Sequence, residues 1–126
     1  MLHYDQFIRQ VQRRARLGSD GDAVRVVRAT LETLAERLPA AESRTLRSLL
    51  PPEIGLYFSG FKGGESFSVD EFYERVGMRA KADTHLAVKR AWAVMSVVDE
   101  VAPRAEMNNI RSTLPEEYGR LFHCAI

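Results

Sequence analysis

The sequence predicts an all-α protein, and three observations carry that prediction. Apolar residues recur at three- and four-residue spacing along most of the chain. No stretch alternates β-branched and polar residues as a half-buried strand does. Prolines and capping residues bracket the periodic stretches, where helices start and stop. With 126 residues, 45% of them hydrophobic and 28% charged, the chain has the size and composition of one folded domain spanning 1–126.

The chain also repeats itself. RSTLPEEYGRLF at 111–122 matches RSLLPPEIGLYF at 47–58 in seven of twelve positions. With an offset of 64 the match extends over residues 20–58 and 84–122, and fourteen of those 39 positions are identical, among them Glu36/Glu100 and Pro39/Pro103. Upstream the offset becomes 65, and Asp5, Phe7, Val11, Arg14 and Ala15 match Asp70, Phe72, Val76, Arg79 and Ala80. This register predicts an internal duplication. The expected architecture is two sequence-related four-helix repeats, 2–58 and 67–122, packed as one pseudo-twofold domain and joined by a Gly-rich linker, 59–66.

Taken in order, each half opens with an amphipathic helix. Phe67-Ser68-Val69-Asp70-Glu71-Phe72 has the form of a capping box with a hydrophobic staple, and Leu2, His3, Gln6 and Phe7 hold the same places with a weaker cap. The apolar stripe runs Tyr4, Phe7, Ile8, Val11, Ala15 in one copy and Val69, Phe72, Tyr73, Val76, Ala80 in the other. A longer helix follows over about 20–38 or 84–102, ended by Pro39 or Pro103, because the residue before a proline avoids helical geometry. Glu36 and Glu100, near these helix ends, are expected to be solvated. A short third helix carries Leu46, Leu49 and Leu50, or Met107, Ile110 and Leu114. The repeated motif then turns the chain at Leu-Pro. It starts a last helix with glutamates that complement the helix dipole and returns Phe58 or Phe122 to the core.

The copies differ in ways that direct the search for function. Trp92 stands where Arg28 does, and Val97 and Val101 replace Thr33 and Arg37. The second long helix is therefore expected to be apolar over a wider arc and to lie at the domain centre or at a partner surface. Trp92, about 100° of arc from the core stripe, is the first candidate for an interface anchor, with Val97 and Val101 beside it; its alternative role is to close the core where the halves meet.

The opening Asp-x-Phe, the long Ala/Leu-rich helix and the closing Leu114-Pro115-Glu116-Glu117-Tyr118-Gly119-Arg120-Leu121-Phe122 resemble a bacterial family known as domain of unknown function 2267. Asp70-Glu71-Phe72 carries the match with them, and Asp5, Phe7 and Leu50-Pro51-Pro52-Glu53 are the first-half counterparts. The resemblance covers nearly the whole chain. It implies a small helical cytoplasmic protein, and it brings no catalytic residues and no cofactor.

Several chemistries find no support in the residues. His3, His85, His123 and Cys124 are the nitrogen and sulfur ligands, and no two sit at a spacing that places both on one helical face. Cys124 has His123 beside it, but adjacent side chains diverge, so no nucleophile is assigned. The recurring acids are explained by helix starts rather than by a glycosidase pair. Gly60-Phe61-Lys62-Gly63-Gly64 lacks the spacing of a phosphate loop. No catalytic, cofactor or metal residue is expected.

A single cysteine and the absence of a long apolar run point to the cytoplasm and away from a membrane. Net charge is +1, divided as +3 over residues 1–63 and −2 over 64–126. The function expected is a non-enzymatic module that meets an unknown protein partner or a second copy of itself. The rival is nucleic-acid binding by Arg9, Arg13 and Arg16 on the first helix, extended by Arg25 and Arg28. The second half, with Glu74 and Met78 at the places of Arg9 and Arg13, does not repeat that stripe.

Overall fold

The structure is a computed structural model and describes residues 2–122. Among them the chain forms eight α-helices and two 3-10 turns, with no strand. Helices α1 (Tyr4–Ala15), α2 (Asp20–Arg37), α3 (Ala40–Leu49) and α4 (Pro52–Gly55) come first, with a 3-10 turn over Leu56–Phe58. Then follow α5 (Val69–Ala80), α6 (Thr84–Val101), α7 (Arg104–Ser112), a 3-10 turn over Glu116–Tyr118, and α8 (Gly119–Phe122).

Local chemistry sets these boundaries. Ser19, Ser68 and Asp83 each accept from a backbone N–H three residues on, at 3.1, 3.1 and 2.9 Å, satisfying donors that a helix start leaves free. The expected back-bond from Glu71 to Ser68 is not made: the Glu71 carboxylate turns to Arg75, whose Nε donates to it at 2.9 Å. The charge on Arg75 makes that the stronger bond. At α1 it is Gln6 that reaches back, accepting from the His3 amide at 3.0 Å. Leu38 and Ala102 are extended just before Pro39 and Pro103, which ends α2 and α6.

The change of offset has a structural place. Four residues separate α1 from α2 and three separate α5 from α6. The shorter turn brings the Ala82 carbonyl over α5, where a Cβ on Gly77 would lie 2.8 Å from it. Gly77 makes room for that approach.

Four long helices form the core as a ring. α1 packs on α2 and α6, α5 packs on α6 and α2, and α2 meets α6 across the middle. Phe7, Val11, Leu31, Leu34, Phe72, Val76, Val94 and Val98 fill the space between them, all fully buried. Each such large side chain contributes about 1.5–3 kcal/mol on removal from water.

Both long helices lie in the core, and α2 is the more buried of the two. Ten residues of α2 are buried against seven of α6. Three of the ten are polar, and each has its own solution to burial. Thr30 and Thr33 donate to the carbonyls one turn back, Val26 and Ala29, at 2.9 and 2.8 Å. Arg37 is enclosed by Phe67 and Tyr118, with its guanidinium over both rings.

The segment expected to be a linker, 59–66, is a strap over the end of α2. Gly64 N–H donates to Leu38 O at 2.8 Å and Glu65 N–H to Glu36 O at 3.0 Å, satisfying carbonyls that a helix end leaves open. Gly63 has φ +81°, and a Cβ there would lie 2.4 Å from Leu38 O. Only glycine fits.

Candidate functional site

Beside the α2/α6 contact, two matched seams join 2–58 to 67–122: α2 with α5, and α1 with α6. Their residues correspond under the sequence offsets, yet among the described residues one seam is filled and the other leaves a groove.

In the α2/α5 seam Arg79 donates to Glu36 Oε1 at 2.7 Å and to Thr33 Oγ1 at 2.7 Å, and lies 3.6 Å from Glu32. Arg75 shares Glu36 at 3.2 Å, binds Glu65 of the strap at 3.0 Å, and stacks 3.8 Å from the centre of the Phe67 ring. Beneath them Arg37 Nε donates to Phe67 O at 3.0 Å and contacts Tyr118 Oη at 3.2 Å, while Tyr118 Oη donates to the same Phe67 carbonyl at 2.7 Å. The hydrogen bond from Arg79 holds the Glu36 carboxyl below its usual range, against the opposing effect of burial. Burial pushes the Tyr118 phenol up to about 12, with Arg37 working the other way. Glu36 is thus an ion-pair hub, which corrects its expected solvated state.

The α1/α6 seam begins the same way. Arg14 pairs with Glu100 and donates to Ser96 Oγ at 3.0 Å. The hydrogen bond from Arg14 holds the Glu100 carboxyl down. Glu100 is therefore also paired, although its side chain stays 61% exposed. Beyond this pair the seams diverge. Gln10 stands at the place of Arg75, Gln6 at Glu71, Leu2 at Phe67, Val97 at Thr33 and Val101 at Arg37. The shorter side chains leave a groove of about 480 Å³, lined by Leu2, Gln6, Gln10, Arg14, Val97, Glu100 and Val101.

The sequence-predicted residues fall in separate places. Trp92 is half-buried, and its indole N–H donates to Tyr73 Oη on α5 at 2.9 Å. This bond ties α6 to α5. Val97 is 1% exposed, so it belongs to the core and shows only as groove floor; Val101 is half-buried at the groove wall.

Arg9, Arg13, Arg16, Arg25 and Arg28 are all exposed. Arg16 lies past the end of α1 as its left-handed cap, with φ 55°. Arg28 is engaged by Glu32 at 3.0 Å, which raises its pKa. Among the described residues no ion pair involves Arg9, Arg13, Arg16 or Arg25.

His3 and His85 are exposed at distant points of the chain, and no group of metal-ligating side chains occurs among the described residues. His123 and Cys124 lie outside those residues. No described helix is long and apolar enough to cross a membrane.

Sequence reasoning missed both seams' ion pairs. The signal was present: Arg14/Arg79 and Glu36/Glu100 are charged identities of the repeat.

No curated protein matches the chain. A family model described as an uncharacterised conserved protein, domain of unknown function 2267, matches residues 4–121, and the chain belongs to that family.

Proposed function

We propose that the chain is a non-enzymatic interaction module, made of two copies of a four-helix unit about a pseudo-twofold axis, that presents a helical face to a protein partner or to a second copy of itself. The duplication is supported by helix lengths of 12, 18 and 10 residues in one half and 12, 18 and 9 in the other. It is supported too by reciprocal packing, α1 on α6 and α5 on α2. The observation that carries the interaction reading is the unequal pair of seams. Two matched places were built alike, one is filled by the chain's own strap, and the other is left as a groove.

The groups with displaced pKa values favour a structural role over catalysis. Glu36 and Glu100 are held as carboxylates by arginines, and Tyr118 is held as a neutral donor to a backbone carbonyl. Catalytic acids and bases are instead tuned toward the working pH. A cytoplasmic setting fits the single cysteine.

Light scattering on the purified chain, with affinity capture from the native cell extract, tests this. The expected result is a stoichiometric dimer or a specific protein partner. A monomer that captures nothing contradicts it.

One observation favours a second reading: Arg9, Arg13, Arg16 and Arg25 are exposed cations without an ion pair among the described residues. They favour binding to a nucleic-acid backbone that weakens steeply with salt. Replacing Arg9, Arg13 and Arg16 by Gln should abolish it, and no binding to RNA or DNA at low salt removes this reading.

A further inference from the structure

We infer that the outer face of α1 docks antiparallel on the outer face of α5 of a second copy of this chain, so that copies join head to tail. This rests on the self-association side of the interaction-module reading and assigns it two faces and a register.

α1 and α5 each pack on α2 and α6 and stand at opposite corners of the ring. Their outer faces therefore look away from each other, and no single chain can bring them together. α1 presents Asp5, Arg9, Arg13 and Arg16, and α5 presents their counterparts at offset 65: Asp70, Glu74, Met78 and Lys81. All of these are exposed, and among the described residues none takes part in an ion pair. At about 100° per residue each set keeps within about 80° of arc, one face of a helix.

Charge decides the orientation. Antiparallel, Arg16 meets Asp70, Arg13 meets Glu74 and Asp5 meets Lys81, so every charge but one finds its opposite. The remaining contact sets the Arg9 stem on Met78, which at 82% is the most exposed large hydrophobic among the described residues. An arginine stem covers such a thioether while its guanidinium stays in water. Parallel, Asp5 would face Asp70 and Arg16 would face Lys81, and these repulsions outnumber the attraction of Arg9 for Glu74. The spacings agree as well, since residues 5, 9, 13 and 16 run against 81, 78, 74 and 70 with steps that differ by no more than one residue.

Complementary charge of this kind selects partner and register more than it adds affinity. A second copy is the occupant that carries the pattern reversed. A nucleic acid complements the arginines of α1 but leaves Asp5 and the whole α5 face without a counterpart. Because α1 of one copy meets α5 of the next, the contact is heterologous and leaves a free face at each end. A dimer forms first, and longer rows follow as concentration rises.

The test uses the purified, nuclease-treated full chain and variants of exposed residues. Arg9→Gln/Arg13→Gln/Arg16→Gln spoils the α1 face, and Glu74→Lys spoils the α5 face. Sedimentation velocity on wild type should show a mass that climbs with concentration in about 0.05 M salt. It should fall back to the monomer at about 1 M, where the screening length shrinks to about 3 Å. Each variant alone should associate at least about tenfold more weakly. Mixed, the two should form a 1:1 pair that grows no further, since one intact face of each remains. With only Glu74→Lys isotope-labelled, amide shifts should fall on residues 5–16; with only the triple variant labelled, on residues 70–81. Lys81→Glu reads the direction. It should weaken association about threefold by facing Asp5, whereas in a parallel contact it would strengthen it by facing Arg16. Amide spectra of the variants check the fold.

A wild type that stays monomeric up to about 1 mM would overturn the inference. So would variants that associate as wild type does, a tighter Lys81→Glu, or association that requires added RNA or DNA. A closed dimer or a specific partner that persists in both variants sinks this pairing and leaves the module reading standing. A monomer that captures nothing from extract sinks that reading as well.

Discussion

Arg79 on α5 donates to Glu36 on α2 at 2.7 Å, and the residues that the sequence offset matches to them, Arg14 and Glu100, pair between α1 and α6. Each ion pair joins an arginine of one half to a glutamate of the other. The two pairs differ in burial, and their energetic weight should differ with it. Arg79→Ala should cost about 2 kcal/mol, since a part-buried glutamate loses a charged hydrogen bond. Arg14→Ala should cost less than about 1 kcal/mol, because Glu100 stays largely in water. Urea unfolding of the two variants measures the difference; equal costs would deny the inequality of the seams.

Acid should loosen the same contacts. The Glu36 and Glu100 carboxyls are held below their ordinary value of 4.5. A depressed folded value means that the pairing contributes in full above the unfolded value and is lost as pH falls through the folded one. Wild type should therefore lose stability below about pH 4.5 more steeply than Glu36→Gln. Denaturant midpoints recorded down the acid range would show it, and parallel curves would count against it.

At the alkaline end Tyr118 acts in the opposite direction. Its phenol is pushed up to about 12 from an ordinary 10.0, so its contribution is complete below the unfolded value and is lost as pH rises between the two. Tyr118→Phe should remove that alkaline phase while costing about 1 kcal/mol at neutral pH through the lost bond to Phe67 O. The alkaline limb of the unfolding curve, with and without the substitution, reads this out.

Glycine positions test the strap and the short turn. Gly63→Ala should destabilise by about 2–3 kcal/mol, combining a left-handed backbone with a Cβ driven into Leu38 O. Gly77→Ala should cost about 1–3 kcal/mol, since the Ala82 carbonyl must move away. Gly60→Ala meets no atom and should show only the strain of its positive φ, about 1–2 kcal/mol. Thermal unfolding ranks the three, and Gly60 as the costliest would contradict the packing described.

The sequence displays the helices plainly because caps, prolines and apolar spacing are local signals. The long helices at 20–37 and 84–101 end within one residue of their expected limits. What it hides depends on tertiary neighbours. Thr33 and Arg37 are polar yet buried, because Thr33 returns its hydroxyl to Ala29 O and Arg37 is bonded to Phe67 O and Tyr118 Oη. Trp92 reads as an interface anchor or as a closure of the core, and the sequence gives no sign of the bond its indole makes to Tyr73 on the neighbouring helix. Glu36 and Glu100 read as solvated ends because their partners lie 43 and 86 residues away in sequence, at Arg79 and Arg14. The open groove is invisible in a single copy and becomes apparent only when the two seams are compared.

The most direct test of the unequal seams is an amide spectrum of the labelled chain recorded in native cell extract. The module reading predicts broadening confined to one contiguous helical face, while the Arg75, Phe67 and Tyr118 signals of the α2/α5 seam remain sharp. A spectrum that stays sharp throughout, or one broadened on Arg9, Arg13 and Arg25 and restored by nuclease, would contradict it.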